Sequence, residues 1–474
     1  MFFRMLYDTK LAQASYLIGC QKTGEAMVID PQRDVDRYIE TAAAEGLRLV
    51  AATETHIHAD FLSGVRELAE RGIHAYLSHE GGRDWEYQWL EEKAGVGNYA
   101  FTLLKDGDTF AIGNIEFQAV HTQGHTPEHM SFLITDRGGG IDAPMGIATG
   151  DFVFVGDVGR PDLLETAAGV AGAKETSARA LFQSVQQFQT LPDYLQLWPG
   201  HGSGSACGKA LGAVPQSTVG YEKRFNPAVA LASNEKSFVE SVLHGQPAPP
   251  LYFARMKKEN RDGPPLLGKI PRPRPIPDDQ LADFPQKKAV ILDTRPWSDF
   301  VQGHLEGALF TPLNKAFTTV AGSYVMPDTD IYLVVEENRV REAVTDLIRI
   351  GLDRVVGHVS PDRLLSQPEL LVSTPHRPMV DIKEMAGPTA VILDVRNTVE
   401  FAAGHLPDAL NVAHTRLLAH LDDLPRDKSI LVHCQSGVRS CYATALLERH
   451  GFDAVQMDGG FLDWQEVSGK VVQD

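Results

Sequence analysis

Two groups of residues in this sequence have the types and spacing that chemistry requires. The first is a series of histidines and acids: Glu54-Thr55-His56-Ile57-His58-Ala59-Asp60, then His121-Thr122-Gln123-Gly124-His125-Thr126, then Thr149-Gly150-Asp151, then Pro199-Gly200-His201. Imidazole and carboxylate together make a ligand set for a metal ion, and the glycines beside or near these side chains let the backbone turn sharply enough to aim them inward. The second is Cys434-Gln435-Ser436-Gly437-Val438-Arg439. A cysteine in a tight loop before a helix is set up as a nucleophile, because its thiolate attacks sulfane sulfur and the loop then holds the resulting persulfide.

The flanking stretches are the elements that must position these groups. Strand-like Arg48-Leu49-Val50-Ala51-Ala52-Thr53 leads into the first cluster, and positions two apart in extended chain face the same way, so His56 and His58 are expected to point into one cavity. Strand-like Ser429-Ile430-Leu431-Val432-His433 leads into Cys434, and a helical stretch through Leu447 follows. Converging backbone N–H groups and the positive end of that helix are expected to lower the thiol's pKa. Residues 1–245 alternate β-like runs, helix-like stretches and Gly-rich loops, the texture of an α/β domain. Prolines then crowd residues 246–277 (Pro247, Pro249, Pro250, Pro264, Pro265, Pro271, Pro273, Pro275, Pro277), which predicts an extended tether and the main domain boundary.

Beyond the tether the chain repeats itself. Asp293-Thr294-Arg295, Phe300 and Gly303-His304-Leu305 recur as Asp394-Val395-Arg396, Phe401 and Gly404-His405-Leu406. Each copy follows an apolar strand, 289–292 or 390–393, so two homologous α/β domains with parallel sheets are predicted, at 278–374 and 375–474. A chain of 474 residues is long enough for about three domains. The net charge of -18 disfavours nucleic acid and anionic membrane as partners, which leaves small-molecule chemistry. Neither a signal peptide nor the ~20 apolar residues of a membrane span is evident, and four cysteines are too few for a disulfide scaffold. The expected location is the cytoplasm; the sequence leaves homo-oligomerisation open.

The order and spacing of the histidine and aspartate clusters resemble the metallo-β-lactamase superfamily, an αβ/βα sandwich with its metal site at the loop ends. Dinuclear zinc hydrolases of that fold read His-x-His-x-Asp-His, whereas the last position here is Phe61. Phenylalanine binds no metal, so the resemblance implies a single ion held by His56, His125 and Asp151. Two imidazoles, one carboxylate and open positions suit mononuclear non-haem Fe(II), with zinc able to substitute in purified protein. Thr55-His56-Ile57-His58-Ala59-Asp60, together with Ser217-Thr218-Val219-Gly220 leading to Asn226-Pro227, resembles the persulfide dioxygenases. That resemblance implies oxidation of a low-molecular-weight thiol persulfide by O2 to sulfite, with His58, Asp60 and His201 orienting ligands and bound water. Arg160 falls where a substrate-side loop is expected and is read as a binder of the carrier's carboxylate or phosphate, or as half of a surface ion pair. Cys207 is read as a persulfide holder or as a small buried hydrophobe.

The Cys434 loop, with Asp394-Val395-Arg396 and Gly404-His405, resembles the rhodaneses. The resemblance implies that Cys434 carries sulfane sulfur and that Arg439 closes the loop and favours anions. Aligning Val340-Arg341 on Val438-Arg439 puts Glu336 opposite Cys434, and since a carboxylate carries no sulfane sulfur, the first repeat is expected to be catalytically silent. The domain order resembles bacterial fusions of persulfide dioxygenase, silent rhodanese and active rhodanese. Sulfite would be converted to thiosulfate at Cys434, or thiosulfate would load Cys434; the sequence leaves the direction open. Two alternatives stand beside this reading: a zinc thiolester hydrolase of the glyoxalase II type with an attached sulfurtransferase, and a non-enzymatic sulfur sensor or scaffold.

Overall fold

The structure is a computed structural model that describes residues 1–91, 98–166, 172–209, 211–281, 289–468 and 471–473. The chain forms two compact units. The first comprises Met1–Gly268 with Arg349–Gly351, and the second Lys269–Ile348 with Leu352–Asp474.

The first unit is built on two six-stranded sheets. One contains β1 (Phe2–Asp8), β2 (Gln13–Cys20), β3 (Glu25–Ile29), β4 (Arg48–Thr53), β5 (His74–Ser78) and β6 (Phe101–Leu104), side by side in chain order. The other contains β7 (Thr109–Ile112), β8 (Ile115–His121), β9 (Met130–Asp136), β10 (Gly146–Gly150), β11 (Gln196–Pro199) and β12 (Ser217–Thr218), again in sequence order. Both sheets are mixed: β1 to β3 and β7 to β10 pair antiparallel, whereas β3 to β6 and the β10–β11 pair run parallel.

Side-chain alternation along the strands explains the layering. Tyr16, Ile18, Met27 and Ile29 meet Phe117, Ala119, Met130, Phe132 and Trp198 between the sheets. The intervening Leu17 and Val28 face away and pack with Tyr38, Ala42 and Leu68, which lie on the helices Asp36–Ala44 and Val65–Glu70. Ile147 and Leu197 pack outward on Leu181, Val185, Phe188 and Phe238, from the helices Ala173–Phe188 and Glu235–Leu243. Strands buried on both faces thus give the expected four-layered αβ/βα sandwich.

The tether prediction needs correction. Residues 246–268 belong to the first unit and include a ten-residue helix, Phe253–Asp262. The prolines cluster on either side of it, and residues 251–263 contain none, so every N–H in that stretch remains able to bond within a helix.

The second unit holds two five-stranded sheets with the same plan. The central strands Val290–Asp293 and Ala390–Asp394 lie between parallel neighbours, Leu309–Phe310 and Ile331–Val334 in one sheet, Leu410–Asn411 and Ser429–His433 in the other. The repeated residues have a structural explanation. Arg295 grips Asp293 and donates to Gly303 O at 2.8 Å, while Arg396 grips Asp394 and donates to Gly404 O at 2.7 Å. His304 stacks on Phe300 with ring centres 3.9 Å apart, and His405 stacks on Phe401 at 3.8 Å. Each copy therefore ties the end of its central strand to the following Gly-His turn.

Candidate metal centre and thiol loop

Carboxyl ends of strands deliver the metal-site residues. His56 follows β4, His125 follows β8, Asp151 follows β10 and His201 follows β11. Two glycines are required for this convergence. Gly150 has φ 51°, and a Cβ there would lie 2.4 Å from Thr55 Oγ1; a Cβ at Gly200 would lie 2.7 Å from Asp151 Oδ1.

His56, His125 and Asp151 form one trio, with donor atoms all within 4.8 Å of one another. Asp151 Oδ2 is 3.9 Å from His56 Nε2 and 3.6 Å from His125 Nε2. The ring tautomers follow from what Nδ1 meets. His125 Nδ1 donates to Arg160 O at 3.1 Å and His201 Nδ1 to Ala12 O at 3.2 Å. Thr55 Oγ1 donates to Asp30, so it accepts from His56 Nδ1 at 3.0 Å. Each Nε2 lone pair therefore faces the centre, as a metal ligand requires. Burial, reinforced by neighbouring histidines, holds His56 and His125 well below the usual imidazole pKa. Burial, together with the Asp60 charge, pushes Asp151 up to about 6.

A second trio lies alongside: Asp60, His201 and Cys207, again with donor atoms within 4.8 Å of one another. His201 Nε2 is 3.4 Å from Asp60 Oδ2 and 3.5 Å from Asp151 Oδ1. The Asp151 carboxylate thus turns one oxygen toward each trio. Both oxygens of Asp60, both of Asp151 and the His201 Nε2 are buried without a hydrogen-bond partner. Buried carboxylates without a hydrogen-bond partner, faced by imidazole lone pairs, fit bound cation chemistry. Burial and then the Asp60 and Asp151 charges push the Cys207 thiol well up.

Two expectations are corrected by this geometry. His58 turns away from the pocket: its Nε2 meets Asp30 Oδ1 at 3.2 Å. Burial alone would depress its pKa, but Asp30, with the Glu54 and Asp60 charges, outweighs burial and raises it to about 9. Of the two readings of Arg160, it is the ion pair that forms, with Asp162, and it is buried rather than on the surface, the arginine being 1% exposed. Its Nε and Nη2 hold Asp162 at 3.0 and 2.7 Å, Nη2 also donates to Pro247 O, and Nη1 donates to Ala206 O at 3.1 Å. It braces the loop that carries Cys207.

Sequence reasoning missed three residues here. Asp30, at the end of β3 with φ 52°, accepts from Thr55 N at 2.6 Å and from Thr55 Oγ1 at 3.1 Å. Buried Glu128 accepts from Ile57 N at 2.8 Å, fixing the loop between His56 and His58. His129 Nε2 accepts from Asp151 N at 3.0 Å, and burial lowers its pKa to about 3, which keeps it an acceptor. Its position four residues after His125 was the available signal. A cavity of about 640 Å³ is lined by Ile57, next to His56 in the chain, and Pro127, two residues after His125, together with Trp85, Lys257, Lys258 and Arg261.

In the second unit, Cys434 stands at the carboxyl end of the Ser429–His433 strand, and the helix Val438–Arg449 starts four residues later. Gly437, φ 85°, makes the turn; a Cβ there would lie 2.7 Å from Gly459 O. Cys434 is 1% exposed and its thiol donates to Ser440 Oγ at 3.7 Å. Arg439 is held by Glu400 through two bonds, Nη1 to Oε2 at 2.6 Å and Nη2 to Oε1 at 2.7 Å. Glu400, which the sequence reading overlooked, offsets the anion preference expected of Arg439; its signal was the Asn397-x-x-Glu400 capping box at the start of the helix Thr398–Ala402.

The first repeat carries no thiol at this place. Asp293 pairs with Val334 as Asp394 pairs with His433, so counting forward from the strands sets buried Val335 opposite Cys434, where counting back from the helix had indicated Glu336. The two counts differ because the first loop is one residue longer. Cys20 and Cys441 are buried. Cys441 Sγ lies on Gly437 O at 2.9 Å, and burial pushes its thiol up.

Comparison with known proteins finds that residues 8–201 match the metallo-beta-lactamase superfamily and residues 380–467 match the rhodanese-like domain. The chain is 30% identical over 252 residues to a protein of Burkholderia pseudomallei (strain 1710b) described as a probable metallo-hydrolase, covering 49% of this chain and 82% of that protein. It is 27% identical over 246 residues to the mitochondrial persulfide dioxygenase of Bos taurus, covering 50% of this chain and 78% of that protein. A crystal structure of a metallo-beta-lactamase from Staphylococcus aureus subsp. aureus COL is similar at TM-score 0.68 and 41% identity, covering 76% of this chain and 99% of that one.

Proposed function

This chain belongs to the metallo-β-lactamase superfamily and ends in a rhodanese-like domain, and from that premise we propose that it oxidises a low-molecular-weight thiol persulfide to sulfite and transfers sulfane sulfur through Cys434. The observation that carries this reading is the buried His56–His125–Asp151 trio, with two imidazole lone pairs and one carboxylate directed at a common point. Fe(II) held by these three would supply redox chemistry and open positions for dioxygen and the persulfide sulfur. The chain's own contribution is orientation and exclusion of water. Thr55 and the Arg160 carbonyl fix the two rings, and His129 fixes the backbone of Asp151. The 640 Å³ cavity admits the carrier thiol, with Lys257, Lys258 and Arg261 on its wall for carboxylate or phosphate.

The overall conversion takes one persulfide, one O2 and one water to one thiol and one hydrogen sulfite with release of a proton. A second persulfide is attacked at its outer sulfur by the Cys434 thiolate and leaves as the carrier thiol, and sulfite then attacks the outer sulfur of the resulting Cys434 persulfide. The sulfur–sulfur bond breaks toward Cys434, which leaves as the thiol, and thiosulfate forms; the reverse reaction loads Cys434 from thiosulfate. A reducing compartment such as the cytosol suits a chain whose four cysteines are all free.

The test is oxygen uptake by the full chain, loaded anaerobically with Fe(II) and given a thiol persulfide. Uptake matched by sulfite or thiosulfate is expected, together with a loss of at least ~100-fold in His125→Ala from removal of a ligand. Absence of uptake by the loaded wild type would overturn the proposal. It would favour the zinc thiolester hydrolase, a reading that the Asp60–His201–Cys207 trio beside the first supports.

A further inference from the structure

We propose that Lys257 is the specificity-determining residue for the carrier thiol, binding a carboxylate or phosphate of that molecule and favouring anionic carriers over uncharged ones. The inference rests on the persulfide reading for what the cavity holds, and it narrows three cations on the cavity wall to one.

Lys257, Lys258 and Arg261 all line the cavity of about 640 Å³, but two of them are already engaged. Lys258 Nζ lies 3.3 Å from Asp262 Oδ2, and Arg261 Nε donates to Asp262 Oδ1 at 2.8 Å. Among the described residues no carboxylate forms an ion pair with Lys257. Its Nζ lies instead over the ring of Trp85, 4.0 Å from the centroid, and Trp85 lines the same cavity. An indole face steadies an ammonium group without consuming its N–H donors. An incoming anion therefore meets a cation that is held in place and still has hydrogen bonds to give.

Buried groups keep that cation charged and correctly placed. Glu128 is fully buried, its Oε1 accepts from Ile57 N at 2.8 Å, and its Oε2 has no hydrogen-bond partner. Burial works against the charge on both Lys257 and Glu128, and the attraction between the two opposes that loss for each. Lys257 stands three residues before Asn260 on the helix Phe253–Asp262, a spacing that puts both on one face. Asn260 Nδ2 donates to His58 O and Phe61 O at 2.8 Å each. The helix face that grips the metal-bearing loop thus carries the cation one turn away. Rigid elements, rather than a loop, fix how far a carrier's anionic group sits from its sulfur.

The experiment measures binding of unreactive S-methyl carriers to the full chain by calorimetry, without iron or a persulfide. The probes are S-methylglutathione against its diamide, which isolates the carboxylates, and S-methyl coenzyme A against S-methylpantetheine, which isolates the phosphates. In at least one pair the anionic member should bind at least about tenfold tighter, as a charge-assisted hydrogen bond allows, and added salt should erode the difference. Lys257→Gln should abolish that preference while leaving the uncharged probe's affinity unchanged, Lys257→Arg should retain most of it, and Lys258→Gln should reduce it less than Lys257→Gln does. Equal affinities within both pairs for the wild type, a result that depends on no variant, would overturn the inference. So would a preference that survives in Lys257→Gln, or an equal loss of charged and uncharged probes in that variant, which would mark a purely structural role. Failure of oxygen uptake with the preference intact would bear only on the redox reading.

Discussion

Asp151 links the whole of the metal pocket. One oxygen turns to His56 and His125 and the other to His201, while its backbone N–H is anchored on His129. Histidine and aspartate stand out in a sequence because few other residues bind metals, but the groups that orient them are chemically ordinary. Asp30, Glu128 and Glu400 acquire their roles only from the neighbours that folding brings. Glu400 leads to a prediction at this scale. Its two bonds to Arg439 compensate the cation at the start of the helix that follows the thiol loop, so Glu400→Gln should free Arg439 for anionic donors. The KM for thiosulfate should fall about fivefold, the equivalent of about 1 kcal/mol for one partly exposed ion pair, with that for an uncharged persulfide donor unchanged. An equal change for both donors would show that Glu400 acts only on loop structure. Cys434→Ser, by contrast, should abolish sulfur transfer from either donor and leave oxygen uptake intact.

Single elements carry the pocket's rigidity. The helix Phe253–Asp262 is pinned to the metal-bearing loop by Asn260, whose Nδ2 donates to His58 O and Phe61 O at 2.8 Å each and whose Oδ1 accepts from Ser63 N at 2.8 Å. Asn260→Ala would leave these buried groups unsatisfied and should cost about 3 kcal/mol, visible as a lower melting temperature; an unchanged melt would refute the pin. The helix Val438–Arg449 offers a pH-dependent case. Burial raises Glu448, which accepts from Thr374 Oγ1 at 3.0 Å, to about 7. Its folded-state pKa lies above the unfolded value, so the stability it contributes is complete below the ordinary carboxylate range and is lost as pH rises through 7. Glu448→Gln, neutral at every pH, should remove about 1 kcal/mol of that decline after allowance for solvent screening. Parallel pH–stability curves for variant and wild type would contradict the assignment. Proline also acts at this scale: its clustering at the two ends of residues 246–277 left a proline-free stretch that became a helix.

Across the whole molecule the metal-site residues and Cys434 belong to separate compact units, and the proposed function then predicts a division of products. Wild type given persulfide and O2 should accumulate thiosulfate, whereas Cys434→Ser should accumulate sulfite at an equal rate of oxygen uptake. Sulfite as the main product of both would mean that the units do not work in sequence. Among the described residues no helix is long and apolar enough to cross a membrane.

The sequence by itself determined the fold class, because strand alternation, internal repetition and the Gly-associated histidine clusters are local patterns that survive without coordinates. It also determined which side chains have metal or sulfur chemistry available. Tertiary structure alone decided their roles, because a ligand is defined by the direction of a lone pair and by the absence of a competing partner. His58 and His56 have the same type and neighbouring positions, yet Asp30 claims the first and Thr55 turns the second toward Asp151. Arg160 carries the charge a substrate site would use, but Asp162 and two carbonyls consume it. Cys207 is distant from Asp60 in the chain, and only the fold of its loop brings the two side chains into one buried pocket.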